Sequence, residues 1–434
     1  MISSRIWPTL GRRRFGTERR PNLGLTIPLL FVAVLGITGC ERPPEGTTDY
    51  ELELAQIQTR LQEADGRDDR LVWEAHLFYR RASLTRDRAD FQQAEAAISN
   101  ALAQSGARED LHFLQACLHY QLHRVPDARA ALKKLSFIAG TPTFLALKAD
   151  IDFEDGRYSE ARSGYLQAIA ADSTWDKLAR LAHLESEFGN TAAAEDLYVR
   201  AQDKITVKEM RGYAFVELQR GLLDFHHGDL DAAMDHYRRA DSAYSGFWVI
   251  EEHIAELLAA QKNFGPATAL YEKVIANTER PEFQQALGDL YLAMGNADEA
   301  RLWYERALSG YLSSAERGEV QYFHHLAEFY SDVRRDGTEA ERWARKDLEL
   351  RQGFAAYEAL AWALYRAGRF EEALAAIETA LESGSENAEL LYHAAMIHQA
   401  NDHAEKARQL LAQSAAINPR LSSNREGADR GEER

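Results

Sequence analysis

The sequence predicts an all-α solenoid of helical hairpins, and three observations carry that prediction. An alanine returns ten times at nearly one period, at Ala94, Ala128, Ala161, Ala194, Ala233, Ala267, Ala300, Ala340, Ala373 and Ala407, with gaps of 34, 33, 33, 39, 34, 33, 40, 33 and 34 residues. Twelve residues before nine of these markers stands another small residue: Ala82, Ala116, Ala149, Ala182, Gly221, Ala255, Gly288, Ala361 and Ala395. In the eighth unit that residue is Ala327, one step out of phase. Four residues after nine of the ten markers comes a bulky side chain: Ile98, Leu132, Tyr165, Tyr198, Tyr237, Tyr271, Tyr304, Ile377 and Leu411. A repeat of this length is one helical hairpin per unit. The units stack in a line because none can bury its apolar face alone.

The elements follow in chain order. Residues 1–39 read as an export signal: Arg12, Arg13, Arg14, Arg19 and Arg20 precede an apolar run over residues 23–37. That run is about 15 residues, short for a membrane span, and Pro28 weakens it as a helix. Ile37-Thr38-Gly39-Cys40 resembles a bacterial lipobox. The resemblance implies cleavage before Cys40, lipidation of its sulfur, and a membrane anchor made of acyl chains. Arg12-Arg13-Arg14-Phe15 also resembles, over a short match, the twin-arginine export signal. Residues 40–50 carry Pro43, Pro44 and Gly46 and read as a tether. Residues 51–74 read as a capping helix and lead-in, with Leu52, Leu54, Ile57 and Leu61 along one side. Residues 75–421 hold the repeats, and 422–434 are polar and read as a disordered tail.

One unit shows the plan. Residues 286–294 form a first helix, Gly295-Asn296 turns the chain, and residues 298–308 form the second. Gly288 and Ala300 mark the crossing, where small side chains let the two backbones approach. The unit reads Leu287-Gly288-x-x-Tyr291-x-x-x-Gly295-x-x-x-x-Ala300-x-x-x-Tyr304-x-x-Ala307-Leu308, and in period and residue type it resembles the tetratricopeptide repeat (TPR). Gly156, Gly189, Gly228 and Gly368 repeat the turn. The resemblance implies a right-handed superhelix of about ten repeats, whose first helices line a concave groove that holds a segment of another protein. Lys148 and Arg220 depart from the pattern where this unit has Leu287, and Ala344 replaces the bulky residue of the eighth unit. The two long gaps place extra residues near 201–211 and 309–320.

Projected onto that groove are Tyr79, Phe113, Tyr120, Phe153, Phe215, Phe225, His226, Glu252, Glu256, Asp289, His324, Glu328, Trp362, Tyr365 and Tyr392, with Asp332 and Glu358 beside them. Aromatics and carboxylates with almost no lysine suit a partner segment with basic and apolar residues. The net charge is −17, and −22 without residues 1–39. Such an acidic chain disfavours nucleic acid and anionic headgroups. Cys117 reads as a small buried side chain. His112, His119 and His123 share one helix face but have no carboxylate or thiolate partner at fixed spacing. No nucleotide, zinc-protease or nucleophile motif occurs. The expectation is therefore a non-catalytic scaffold with no cofactor and no metal, a lipoprotein on the periplasmic face of a bacterial inner or outer membrane. A regulatory subunit of an envelope enzyme and an enzyme with a His/acid site in the groove are the alternatives. The oligomeric state stays open.

Overall fold

Small residues at regular spacing, each followed by a turn, give the described residues 21 α-helices. The computed structural model describes residues 46–64, 69–106 and 108–420; the segments read as export signal and tail, and Cys40, lie outside them. A leading helix, α1 (Asp49–Glu63), is followed by ten hairpins. They are α2 (Arg70–Thr85) with α3 (Arg88–Ser105), α4 (Glu109–Gln121) with α5 (Val125–Leu132), α6 (Pro142–Glu154) with α7 (Tyr158–Ala171), α8 (Trp175–Glu187) with α9 (Thr191–Gln202), and α10 (Met210–His226) with α11 (Leu230–Ala243). Then come α12 (Trp248–Ala260) with α13 (Phe264–Thr278), α14 (Pro281–Ala293) with α15 (Ala297–Glu316), α16 (Phe323–Glu328) with α17 (Gly337–Leu348), α18 (Phe354–Arg366) with α19 (Phe370–Leu381), and α20 (Ala388–Ala400) with α21 (Ala404–Ile417). No strand occurs among the described residues, and none of their helices is long and apolar enough to cross a membrane.

The small crossing residues do what their spacing predicts. A Cβ added at Gly221 would stand 2.4 Å from the Tyr237 ring, and one at Gly288 would stand 2.7 Å from Tyr304. In these two units the bulky residue four after the marker thus packs on the small residue twelve before it. The marker alanines are almost completely buried, and the core runs along the stack as a chain of adjoining clusters.

Two boundaries differ from the sequence reading. Thr48 caps α1 through a capping box with Glu51, so the helix starts inside the segment read as tether. α2 begins at Arg70, within the segment read as lead-in. The two long gaps are built differently. The first is a loop before the 17-residue α10, and the second is an α15 extended to 20 residues.

The superhelix coils until successive turns touch. The Phe354 N–H donates to the Tyr158 hydroxyl at 2.7 Å, Gln352 N–H to the Glu154 carbonyl at 3.0 Å, and Arg420 Nε to the Gly228 carbonyl at 3.0 Å. Ser385 Oγ donates to the Glu187 carbonyl at 2.9 Å, and Trp248 Nε1 to the Leu84 carbonyl at 3.2 Å. In four of these five contacts the turn of one hairpin meets the first-helix start of another, five or six units on; Arg420 follows the last helix. The first helices face a narrow interior.

Candidate functional site: an acidic cleft on the inner face

The first helices of the late hairpins build a cleft on this inner face. Asp289 comes from α14, Glu328 from α16, Glu358 and Trp362 from α18, and Glu389 and His393 from α20. Asp332 joins them from a π-turn, Phe329–Val333, that continues α16. That turn explains the phase slip of Ala327. A π-turn holds one residue more than an α-turn, and it lies between Ala327 and Ala340. No lysine or arginine lines the cleft; its basic groups are His324 and His393.

The carboxylates differ in their partners. Asp289 accepts a hydrogen bond from the Tyr304 hydroxyl at 2.7 Å. Burial pushes its carboxyl up to about 6 although water still reaches it, because the group looks into an enclosed interior. His324 stands between two acids, its Nε2 3.1 Å from Glu328 and its Nδ1 3.3 Å from Asp347 of α17. Burial alone would lower His324, but the Glu328 charge and the hydrogen bonding to both carboxylates prevail and raise it to about 9. Against the same burial, the His324 charge holds Glu328 down to about 2. Trp362 donates from Nε1 to Asp332 at 2.9 Å and stacks on His393 with centroids 4.0 Å apart. Tyr365 stacks on Trp362 at 4.8 Å, and His393 Nδ1 is 3.0 Å from Glu358. Arg366 pairs with Asp332 at 3.0 Å from outside the lining.

Of the residues projected onto the groove, Asp289, His324, Glu328 and Trp362 come together here, with Tyr365 stacked behind. Glu252 lines a second chamber that shares His324, and Glu256 lies beside it. His226 is exposed next to the partly buried Phe225. Several aromatics are packed between hairpins rather than held open. Tyr79 is buried and accepts from Gln121 Nε2 at 3.0 Å, Phe153 lies edge-on to Tyr158, and Phe215 leans on Trp175. Phe113 and Tyr120 pack against the early core, and Tyr392 is buried beside His393.

The acidity is also less uniform than the sequence reading holds, because arginines neutralise carboxylates of the early and middle units. Arg180 meets both oxygens of Asp150 at 3.0 Å, and Glu217 is met by His236 at 2.6 Å and Arg239 at 2.9 Å. Counting lysines missed these guanidinium groups. Glu389 and His393, six and two residues before Ala395, were not among the residues projected onto the groove.

Residues 189–323 match the family model described as a tetratricopeptide repeat-like domain, and residues 358–421 match one described as a tetratricopeptide repeat. The chain carries tetratricopeptide repeats. The TPR stack is similar in structure to the Cut9–Hcn1 hetero-tetramer of the APC/C, at 16% identity and a TM-score of 0.43, covering 86% of this chain and 80% of that one. It is also similar to the human IFIT1 dimer with PPP-AAAA, at 12% identity and a TM-score of 0.45, covering 84% and 94%. A TPR protein from Parabacteroides merdae gives 19% identity and a TM-score of 0.37, covering 55% and 93%. No curated protein matches. A TPR stack is typically an interaction scaffold for other proteins rather than an enzyme.

Proposed function

We propose that this TPR protein is a non-catalytic scaffold that captures a basic segment of a partner protein in the acidic cleft. One observation carries the reading: Asp289, Glu328, Asp332, Glu358 and Glu389 converge on one inner surface with no lysine or arginine in its lining. Arginine or lysine side chains entering it gain charge-assisted hydrogen bonds in a partly desolvated site.

In this reading the scaffold is held at the bacterial envelope by lipid on Cys40, with a short tether before α1. The motif around Cys40 and the apolar run before it support that placement. Alkyne-fatty-acid labelling that disappears in Cys40→Ala is the expected result, and labelling that persists refutes the anchor.

The cleft is tested by fluorescence anisotropy with extended peptides of equal apolar content, one basic and one acidic. The basic peptide binds, its affinity falls with salt, and Asp289→Lys with Glu358→Lys weakens it by roughly tenfold or more. Equal binding of both peptides, or no effect of the charge reversals, refutes the cleft as the binding surface.

A further inference from the structure

A second group on the inner face lies outside the acidic cleft. Glu252, His253 and Glu256 follow one another on α12. Residues four apart share a helix face, so the two carboxylates stand over one another, and the imidazole leans between them. One atom from each residue lies within 4.8 Å of the other two. His253 Nδ1 is 3.3 Å from Glu252 Oε2 and 3.2 Å from Glu256 Oε2. A tetrahedron with metal–ligand bonds of about 2.0 Å has edges of about 3.3 Å. The imidazole nitrogen holds that spacing to both carboxylates, and the two carboxylates lie within 4.8 Å of each other.

The surroundings favour a cation. Glu252 is 1% exposed and His253 is 2% exposed. Glu252 Oε1 is buried without a hydrogen-bond partner, and its carboxylate lines the chamber between α12, α14 and α16. Among the described residues no lysine or arginine is paired with any of the three. Arg86, Arg280 and Arg351 also line the chamber; Arg280 is paired with Glu282 and Arg351 with Asp347. Two carboxylates on one imidazole leave a buried excess of negative charge, a costly arrangement until it is neutralised.

We propose that Glu252, His253 and Glu256 form a binding site for one divalent transition-metal ion of the zinc class. One imidazole with two carboxylates suits zinc and its neighbours. Magnesium and calcium take oxygen ligands alone, and copper(I) prefers sulfur. The ligands come from one helix, so the remaining coordination position faces the chamber and is filled by water. The inference is independent of the peptide-binding reading, since it uses no residue of the cleft.

The test uses the full chain, stripped of metal with a chelator and dialysed against zinc chloride, with bound zinc counted by plasma mass spectrometry. One zinc per chain is expected. Glu252→Gln and His253→Gln each weaken binding at least tenfold, while His119→Gln, on the histidine face of α4, leaves it unchanged. Absence of bound zinc, equal retention by both α12 variants, or loss only in His119→Gln overturns the proposal. Cobalt(II) titration of the wild-type chain needs no variant to fold. A visible absorption band from a four- or five-coordinate ion is expected, and a featureless titration overturns the site.

Discussion

Asp150 has no solvent exposure, and its carboxylate survives there because Arg180 meets both oxygens and Tyr165 donates to one of them at 2.9 Å. Removing one partner leaves the other charge buried and alone, so Arg180→Met should cost about 3–5 kcal/mol. Urea unfolding of the two proteins checks this, and a loss under about 1 kcal/mol would place the pair at the value of a surface ion pair. His324 gives a pH-dependent counterpart. It is faced by Glu328 from its own helix and by Asp347 from α17, which also pairs with Arg351 at 2.8 Å. Its pKa is raised from 6.5 to about 9 on folding. A group raised on folding stabilises fully below its unfolded pKa and loses that contribution as pH rises through the folded one. Stability should therefore fall by about 2–3 kcal/mol between pH 6.5 and pH 9.5. In His324→Gln that slope disappears, and a wild type with a flat profile over this range would refute the assignment.

Each hairpin turn needs one residue in the left-handed region, and here the elements were only half readable from the chain. Gly156, Gly189, Gly228, Gly295 and Gly368 fill five of the ten turns with φ between 73° and 79°. Arg86, His123, Lys262, Arg335 and Asp402 fill the other five, with φ between 50° and 62°. Glycine announced the first set. The second set carries ordinary side chains, and only the period of the alanine marker located those turns. An L-residue in this conformation costs roughly 1–2 kcal/mol, so Lys262→Gly at its exposed turn should stabilise the protein by about 1 kcal/mol in urea unfolding. The eighth hairpin was legible in a different way. Its phase slip at Ala327 is the π-turn written in the sequence, and Asp332 sits in the cleft because of it. Gly337, which opens the second helix of that hairpin, is held by the next one: an added Cβ would stand 2.3 Å from the Ala367 backbone nitrogen. Backbone cannot swing aside as a side chain can, so Gly337→Ala should cost about 1–3 kcal/mol.

The coiling of the whole stack could not be read from any single unit. Three of the seams between turns join residues 192 to 198 positions apart, at Tyr158 with Phe354, Glu187 with Ser385 and Gly228 with Arg420. Each joins one side chain to a main-chain group, and the main-chain half has no signature in the residue types. Each seam has few hydrogen bonds, worth about 1 kcal/mol apiece, whereas each hairpin buries a row of apolar side chains against its neighbour. The seams therefore set how tightly the superhelix closes, while the hairpins keep the stack folded. Tyr158→Phe, Ser385→Ala and Arg420→Ala together remove one bond from three successive seams without touching a hairpin core. The radius of gyration from small-angle X-ray scattering should rise while the helical circular dichroism stays unchanged. A loosened coil also opens the inner face, so a basic peptide should associate faster with the triple variant, because less of the route into the cleft is closed. An unchanged radius would mean that packing between adjacent hairpins alone sets the pitch, and the approach to Asp289 and Glu358 would then be governed by the π-turned eighth hairpin rather than by the seams.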